Sequence, residues 1–199
     1  MKRIILSLSL VIATTTAFSQ VKFSLGVRLG ANYSQITNSE LDAKTGLYAG
    51  LFTDFRFTSF YALQPEVTYS NQGGKSNTDG IGELDIHYVS IGVANKFYIF
   101  KDSGLHFIVG PSIDVNFEAN VISLINDDGE LEITPFDVTL FGGIGYEFPF
   151  GLSVEARYKH GFFDLDAASG EWDVYGNYHD DEDLLNSVIQ IGATYKFDF

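Results

Sequence analysis

Phe23-Ser24-Leu25-Gly26-Val27-Arg28-Leu29-Gly30-Ala31-Asn32-Tyr33 repeats with a period of two. Phe23, Leu25, Val27, Leu29, Ala31 and Tyr33 fall on one side, and Ser24, Gly26, Arg28, Gly30 and Asn32 on the other. A helix would mix the two sets, whereas a strand separates them cleanly. The same pattern recurs along the chain. In 45–55, Leu47, Ala49, Leu51, Thr53 and Phe55 share a face, opposed by Tyr48, Phe52 and Asp54. In 61–69, Tyr61, Leu63, Pro65, Val67 and Tyr69 oppose Ala62, Gln64, Glu66 and Thr68. Segments 105–117, 133–148, 152–162 and 189–199 alternate likewise. Segment 84–97 does so with a slip: Leu84, Ile86 and Tyr88 keep one phase, then Val89, Ile91, Val93 and Phe97 take the other, which predicts a bulge near Tyr88 and Val89. Pro65 and Pro111 each remove a ladder donor and predict local irregularity.

Eight strands follow, each about the 9–11 residues that a tilted membrane-spanning strand requires. A lipocalin-like barrel would turn its apolar side chains inward, and an outer-membrane barrel turns them outward. The polar faces collect Arg28, Gln64, Glu66, Lys96, Asp114, Glu147, Glu155, Arg157, Lys159, Gln190 and Lys196 among many small residues. A narrow interior can hold such a set as paired charges. The apolar faces carry aromatics near the strand ends, including Phe23, Tyr33, Tyr61, Tyr69, Phe117, Tyr146, Phe162 and Phe199, as two interfacial girdles would. Connections alternate between short (56–60, 101–103, 147–151) and long (34–44, 70–83, 118–132, 164–187). Short turns then face the periplasm together with both termini, and long loops face outward. The expected fold is an all-β, eight-stranded antiparallel up-and-down transmembrane barrel.

The N-terminus supports an envelope destination. Lys2 and Arg3 precede an apolar run, and Ala17 and Ser19 occupy the small-residue positions before Gln20. Residues 1–19 read as a secretory signal peptide, and 20–199 as the barrel domain. Removing 1–19 takes away two basic residues and no acid, so the net charge of −14 becomes −16. With 26 acids against 12 bases, no basic stripe is available for nucleic acid. The absence of cysteine excludes a disulfide scaffold, an iron–sulfur cluster and a thiolate zinc site. No later segment reaches eighteen consecutive apolar residues, which excludes a spanning helix.

Tyr195-Lys196-Phe197-Asp198-Phe199 resembles the terminal strand that the barrel-assembly machinery recognises in outer-membrane proteins. Further pieces are Ala17-Phe18-Ser19-Gln20, the opening Gly26–Tyr33 run, Leu63-Gln64-Pro65-Glu66-Val67-Thr68-Tyr69-Ser70, Gly104-Leu105-His106-Phe107 with Gly110-Pro111, and Gly151-Leu152 with Ala156-Arg157-Tyr158. With these, the whole mature chain resembles the small outer-membrane β-barrels of the Bacteroidetes lineage, the PorT-like barrels. The resemblance implies insertion by the assembly machinery, contact with outer-membrane lipid and lipopolysaccharide, and a role near envelope or secretion proteins. It names no activity.

Two candidate sites stand out. Arg28, Glu66, Lys96, Asp114, Glu147, Glu155, Arg157, Lys159 and Lys196 are expected to form a charge network in the lumen that keeps the barrel closed; a narrow conduit is the alternative. Asp180, Asp181, Glu182 and Asp183 lie in the base-free stretch 164–187 and could contact cations, although the run lacks the spacing of a calcium loop. Asn126-Asp127-Asp128-Gly129-Glu130 reads as a turn in a hairpin. His87, His106, His160 and His179 show no ligand spacing, so no metal or other cofactor is implied. No nucleophile elbow occurs, and the expected role is non-enzymatic.

Overall fold

The computed structural model describes residues 21–37, 42–75, 84–101, 103–116, 136–162, 171–172, 178–179 and 185–197. Its strands are β1 (Lys22–Ile36), β2 (Asp42–Arg56), β3 (Tyr61–Lys75), β4 (Leu84–Tyr98), β5 (Leu105–Asn116), β6 (Phe136–Glu147), β7 (Leu152–Gly161), β8 (Glu171–Trp172), β9 (Tyr178–His179) and β10 (Asn186–Phe197). Eight of them close a barrel in the order β1-β10-β7-β6-β5-β4-β3-β2, and β8 pairs only with β9. Every pairing in the barrel is antiparallel, so it is all-β and up-and-down.

The register fixes the shape. Paired residues run from Phe23 through Phe55, Leu63, Asn95, Val109, Gly142, Tyr158 and Ile189 back to Tyr33, so one circuit advances the first strand by ten residues. With a rise of about 3.3 Å per residue and about 4.8 Å between strands, eight strands staggered in this way tilt by about 40° and enclose a cylinder about 8 Å in radius at the backbone. Side chains fill such an interior.

Alternation decides what fills it. Leu47, Leu51, Leu29 and Ile191 point outward and are 61–70% exposed, whereas Arg28, Lys96 and Asp114 point inward and are at most 2% exposed. Aromatic neighbours pave the outer face near the short turns, with Phe23 and Phe55 at 5.4 Å, Tyr61 and Phe97 at 5.4 Å, and Tyr195 and Phe197 at 5.2 Å between ring centres.

The phase slip expected in 84–97 is absent. β4 pairs with β3 and with β5 at constant offset, and Ile86, Tyr88, Ser90, Ala94, Lys96 and Tyr98 all face inward in one phase. Ile86 and Tyr88 are apolar residues packed inside, not a change of face. The register shift lies instead between β2 and β3, near Ala43 and Tyr48. The two prolines act on one side each. β3 and β2 exchange no bridge at Pro65, and β5 and β4 none at Pro111, yet both ladders resume with the same offset. On their other sides Pro65 pairs with Val93 and Pro111 with Leu140 without a break.

Three short connections gather at the rim where β1 begins and β10 ends. The β2–β3 turn is held by Thr58, whose Oγ1 accepts from the amides of Phe60 and Tyr61 at 3.1 and 3.0 Å. The β4–β5 turn ends on Gly104 at φ +70°, with its carbonyl accepting from the Glu147 amide at 2.9 Å. A Cβ at Gly104 would collide with the Glu147 carbonyl. Gly104→Ala is therefore expected to destabilise the barrel by about 1–3 kcal/mol, measured as a lower urea midpoint of the refolded protein. An unchanged midpoint would contradict this turn geometry.

Candidate functional site

The lumen is built from alternate residues of all eight barrel strands, and its middle is one chain of buried charges. Glu155 and Arg157 sit two apart on β7 and so share the inner face. Arg157 grips Glu155 through Nη2 at 2.8 Å and Nε at 3.1 Å, and reaches Glu66 of β3 through Nη1 at 2.7 Å. Glu66 also takes Arg28 of β1, and Gln64 donates to its second oxygen at 3.0 Å. Glu155 takes Lys96 of β4 at 2.6 Å. His106 of β5 donates from Nδ1 to the Gly104 carbonyl at 2.9 Å and holds Nε2 3.7 Å from Glu155. Five strands are thus tied through two carboxylates.

Two smaller clusters flank this chain. Toward the short turns, Lys196 bridges Glu147 at 2.7 Å and Asp54 at 3.6 Å, Tyr98 donates to Glu147 at 2.6 Å, and the Arg56 guanidinium lies 3.6 Å over the Tyr98 ring. Toward the other rim, Lys159 binds Asp114 at 2.6 Å and Ser90 at 3.2 Å. Asp114 stands directly opposite Asp137 across β5 and β6, both facing inward. Like charges so placed repel; Lys159 offsets this at Asp114, and Asp137 accepts the Phe162 amide at 3.2 Å. An amide layer follows, in which Gln190 donates to Asn32 at 2.9 Å, Asn32 to Ser70 at 2.8 Å and Gln72 to Ser70 at 2.8 Å.

The nine charges singled out from sequence all face the lumen. Arg28, Glu66, Lys96, Glu155 and Arg157 form the central chain, Asp114 and Lys159 the pair above it, and Glu147 and Lys196 the pair below. Sequence reading left Asp54, Arg56, Tyr98 and Asp137 out of the set and took His106 only as a lumen or interface residue. The alternation already placed Asp54 and Asp137 on inner faces, and extending the β2 phase by one step would have added Arg56. The same phase puts His106 with Asp114 and Tyr98 with Lys96, but the contacts that these two make depend on neighbours from other strands. Residues 1–20, Asn126–Glu130 and Asp180–Asp183 lie outside the described residues. Among the described residues no cluster of three or more His, Asp or Glu is placed to hold a metal ion.

Such a network locks strands together and obstructs the axis. Apolar side chains add to the obstruction, with Ala94, Ile108 and Phe141 forming a buried cluster. Removing one partner of a buried pair leaves an uncompensated charge. Glu155→Gln is therefore expected to destabilise the folded barrel by about 3–5 kcal/mol, and the Lys96→Met, Glu155→Gln double variant by less than the sum of the two single changes. Urea unfolding of the four proteins yields the coupling; additive losses would show that Lys96 and Glu155 do not act as a pair.

Comparison with known proteins gives the lineage of this architecture. Residues 18–167 match the family described as outer membrane protein beta-barrel domain. Among solved structures, the chain resembles Ail, the attachment invasion locus protein of Yersinia pestis, at 13% identity and TM-score 0.47, covering 88% of this chain and 97% of that one. It also resembles the outer membrane protein OprG from Pseudomonas aeruginosa at 13% identity and TM-score 0.49, covering 90% and 98%. A third is Neisserial surface protein A, at 12% identity and TM-score 0.47, covering 88% and 97%. No curated protein matches the chain. The matched span takes in seven of the eight barrel strands, and the chain belongs to the outer membrane protein beta-barrel domain family.

Proposed function

We propose that this chain is a closed outer-membrane barrel of the PorT-like type, a non-enzymatic anchor that presents its long connections outward. The observation carrying this reading is the inversion of polarity. Large apolar side chains cover the outside, while the inward charges are joined to one another in pairs and chains. Water disfavours such an exterior and lipid favours it. The rim that gathers the three short turns and both strand termini is the periplasmic one, and residues 1–19 direct export. Assembly machinery recognises the terminal aromatic strand, and the outward connections meet lipopolysaccharide or envelope and secretion proteins.

The charges and rings packed into a cylinder about 8 Å in radius at the backbone support the closed reading. The competing reading, a narrow or gated channel, has some support in the network itself. Arg28 Nε and Nη2 and Gln64 Oε1 are buried without a hydrogen-bond partner among the described residues, so the central chain has spare valences for re-pairing. Planar bilayer recording separates the two. The refolded wild-type barrel is expected to insert, shown by heat-dependent mobility on gels, and to give no reproducible unitary steps. Reproducible steps from the wild type would overturn the closed-barrel reading and favour the channel.

A further inference from the structure

The central chain is unequal in charge. Arg28, Lys96 and Arg157 bring three cations to two carboxylates, Glu66 and Glu155, and with His106 neutral one positive charge is left over. Asp114 and Asp137 stand toward the other rim, beside Lys159. The surplus can be placed on one residue. Lys96 is committed to Glu155, and Arg157 divides its donors between Glu155 and Glu66. Arg28 reaches Glu66 through Nη1. Its Nε and Nη2, the edge with which a guanidinium grips an anion side-on, have no hydrogen-bond partner among the described residues, in a residue 2% exposed. A charged edge so buried costs stability until something accepts from it.

A row of paired residues leads from Arg28 to the rim. Arg28 stands opposite Thr194 of β10, Thr194 opposite Ser153 of β7, and Ser153 opposite Glu147 of β6. Because the strands tilt, each step along this row descends about 3 Å toward the short turns. Thr194 and Ser153 are both buried, and the hydroxyl of each is likewise without a partner among the described residues. Two free hydroxyls thus stand between Arg28 and the mouth. At the mouth, Glu147 is held by Lys196 and Tyr98, and Asp54 by Lys196, so the carboxylates there meet counter-charge. A hydroxyl donates to an anion or accepts from a cation, and the free arginine edge decides the sign. One surplus charge suits a monovalent ion. A doubly charged phosphate would set an uncompensated charge beside Glu66 and Glu155.

We propose that Arg28 Nε and Nη2, with the Thr194 hydroxyl across the ladder, bind one small monovalent inorganic anion of the chloride class inside the barrel, admitted from the short-turn rim past Ser153. The ion neutralises the central chain and needs no passage through the barrel. Tyr48, opposite Gly30 and so one inward position farther from that rim, covers the Arg28 guanidinium with its ring centre at 5.0 Å. The site depends on the register and charges of the lumen and not on what the outer face contacts, so it holds for a closed barrel and for a conducting one alike.

The test uses the refolded full barrel in detergent micelles. The Arg28 Nε resonance, assigned through its bonds to the backbone, is followed by nitrogen-15 NMR while sodium chloride replaces sodium gluconate, a bulkier monovalent salt, at fixed ionic strength. A saturable shift is expected. Thr194→Val keeps the shape and removes the hydroxyl, and is expected to raise the half-saturating chloride by about threefold. Crystals grown in bromide should show anomalous scattering beside Arg28 in the wild type and none there in Arg28→Lys, which can still meet Glu66 but lacks the free edge. A shift that grows without saturating, the same titration in Thr194→Val as in the wild type, or bromide found only elsewhere overturns the proposal. Heat-dependent gel mobility shows which variants fold; should Arg28→Lys fail, the wild-type bromide position and the Thr194→Val titration decide.

Discussion

A ten-residue stagger on eight strands confines every inward side chain to a cylinder about 8 Å in radius, and the composition of the lumen follows from that width. Charges entering so narrow a space lose water on all sides. They are retained because partners converge from the opposite wall: Arg157 of β7 reaches Glu66 of β3, and Lys96 of β4 reaches Glu155 of β7. These contacts cross the axis, so they report on closure itself and not on any one hairpin. A buried ion pair is a weak source of net stability compared with apolar packing. Its value here is specificity, since a one-residue slip of any strand would turn its charges toward the apolar outside.

The same width explains the pairing of small with large. Tyr48, Phe52 and Phe141 are rings inside a polar lumen, each 3% exposed. Phe52 lies over Gly26, Tyr48 over Gly30 and Gly192, and Phe141 over Gly110, at distances that leave no room for a Cβ. The glycines scattered along the inner faces are thus the hollows into which rings from neighbouring strands fit. All three rings also meet cations, with the Arg28 guanidinium 5.0 Å from the Tyr48 ring centre, that of Arg157 5.1 Å from Phe141 and Lys96 Nζ 5.9 Å from Phe52. Rings and charges form one packed interior.

The number of barrel strands, the phase of most of them and nine inward charges were legible in the amino-acid order because they depend only on alternation. Arg28, Glu66, Glu155 and Arg157 each stand in phase with small or polar neighbours, and a period-two reading places them without knowing any partner. What alternation could not reveal depends on contacts between strands. Ile86 and Tyr88 looked like a change of phase, since apolar residues inside a polar lumen contradict the rule that located the other strands. They remain in phase with Ser90 and Lys96, in ladders whose offset does not change. The shift near Ala43 and Tyr48 left no mark in sequence, because it concerns how two strands meet and not which residues alternate. The contact between His106 and Tyr98, whose tilted rings lie 4.9 Å apart on adjacent strands, was opaque for the same reason.

Burial of charge also redistributes what is left. Among the described residues, Arg28, Lys44, Lys96, Arg157, Lys159 and Lys196 are buried, and so are Asp54, Glu66, Asp114, Asp137 and Glu155, which leaves the lumen close to neutral. Two further bases, Lys2 and Arg3, precede the barrel. The net charge of −14 is therefore carried by residues outside this balanced set. Charge acts over about 8–10 Å in physiological salt, and the mutually paired charges of the lumen add little to the field outside the barrel.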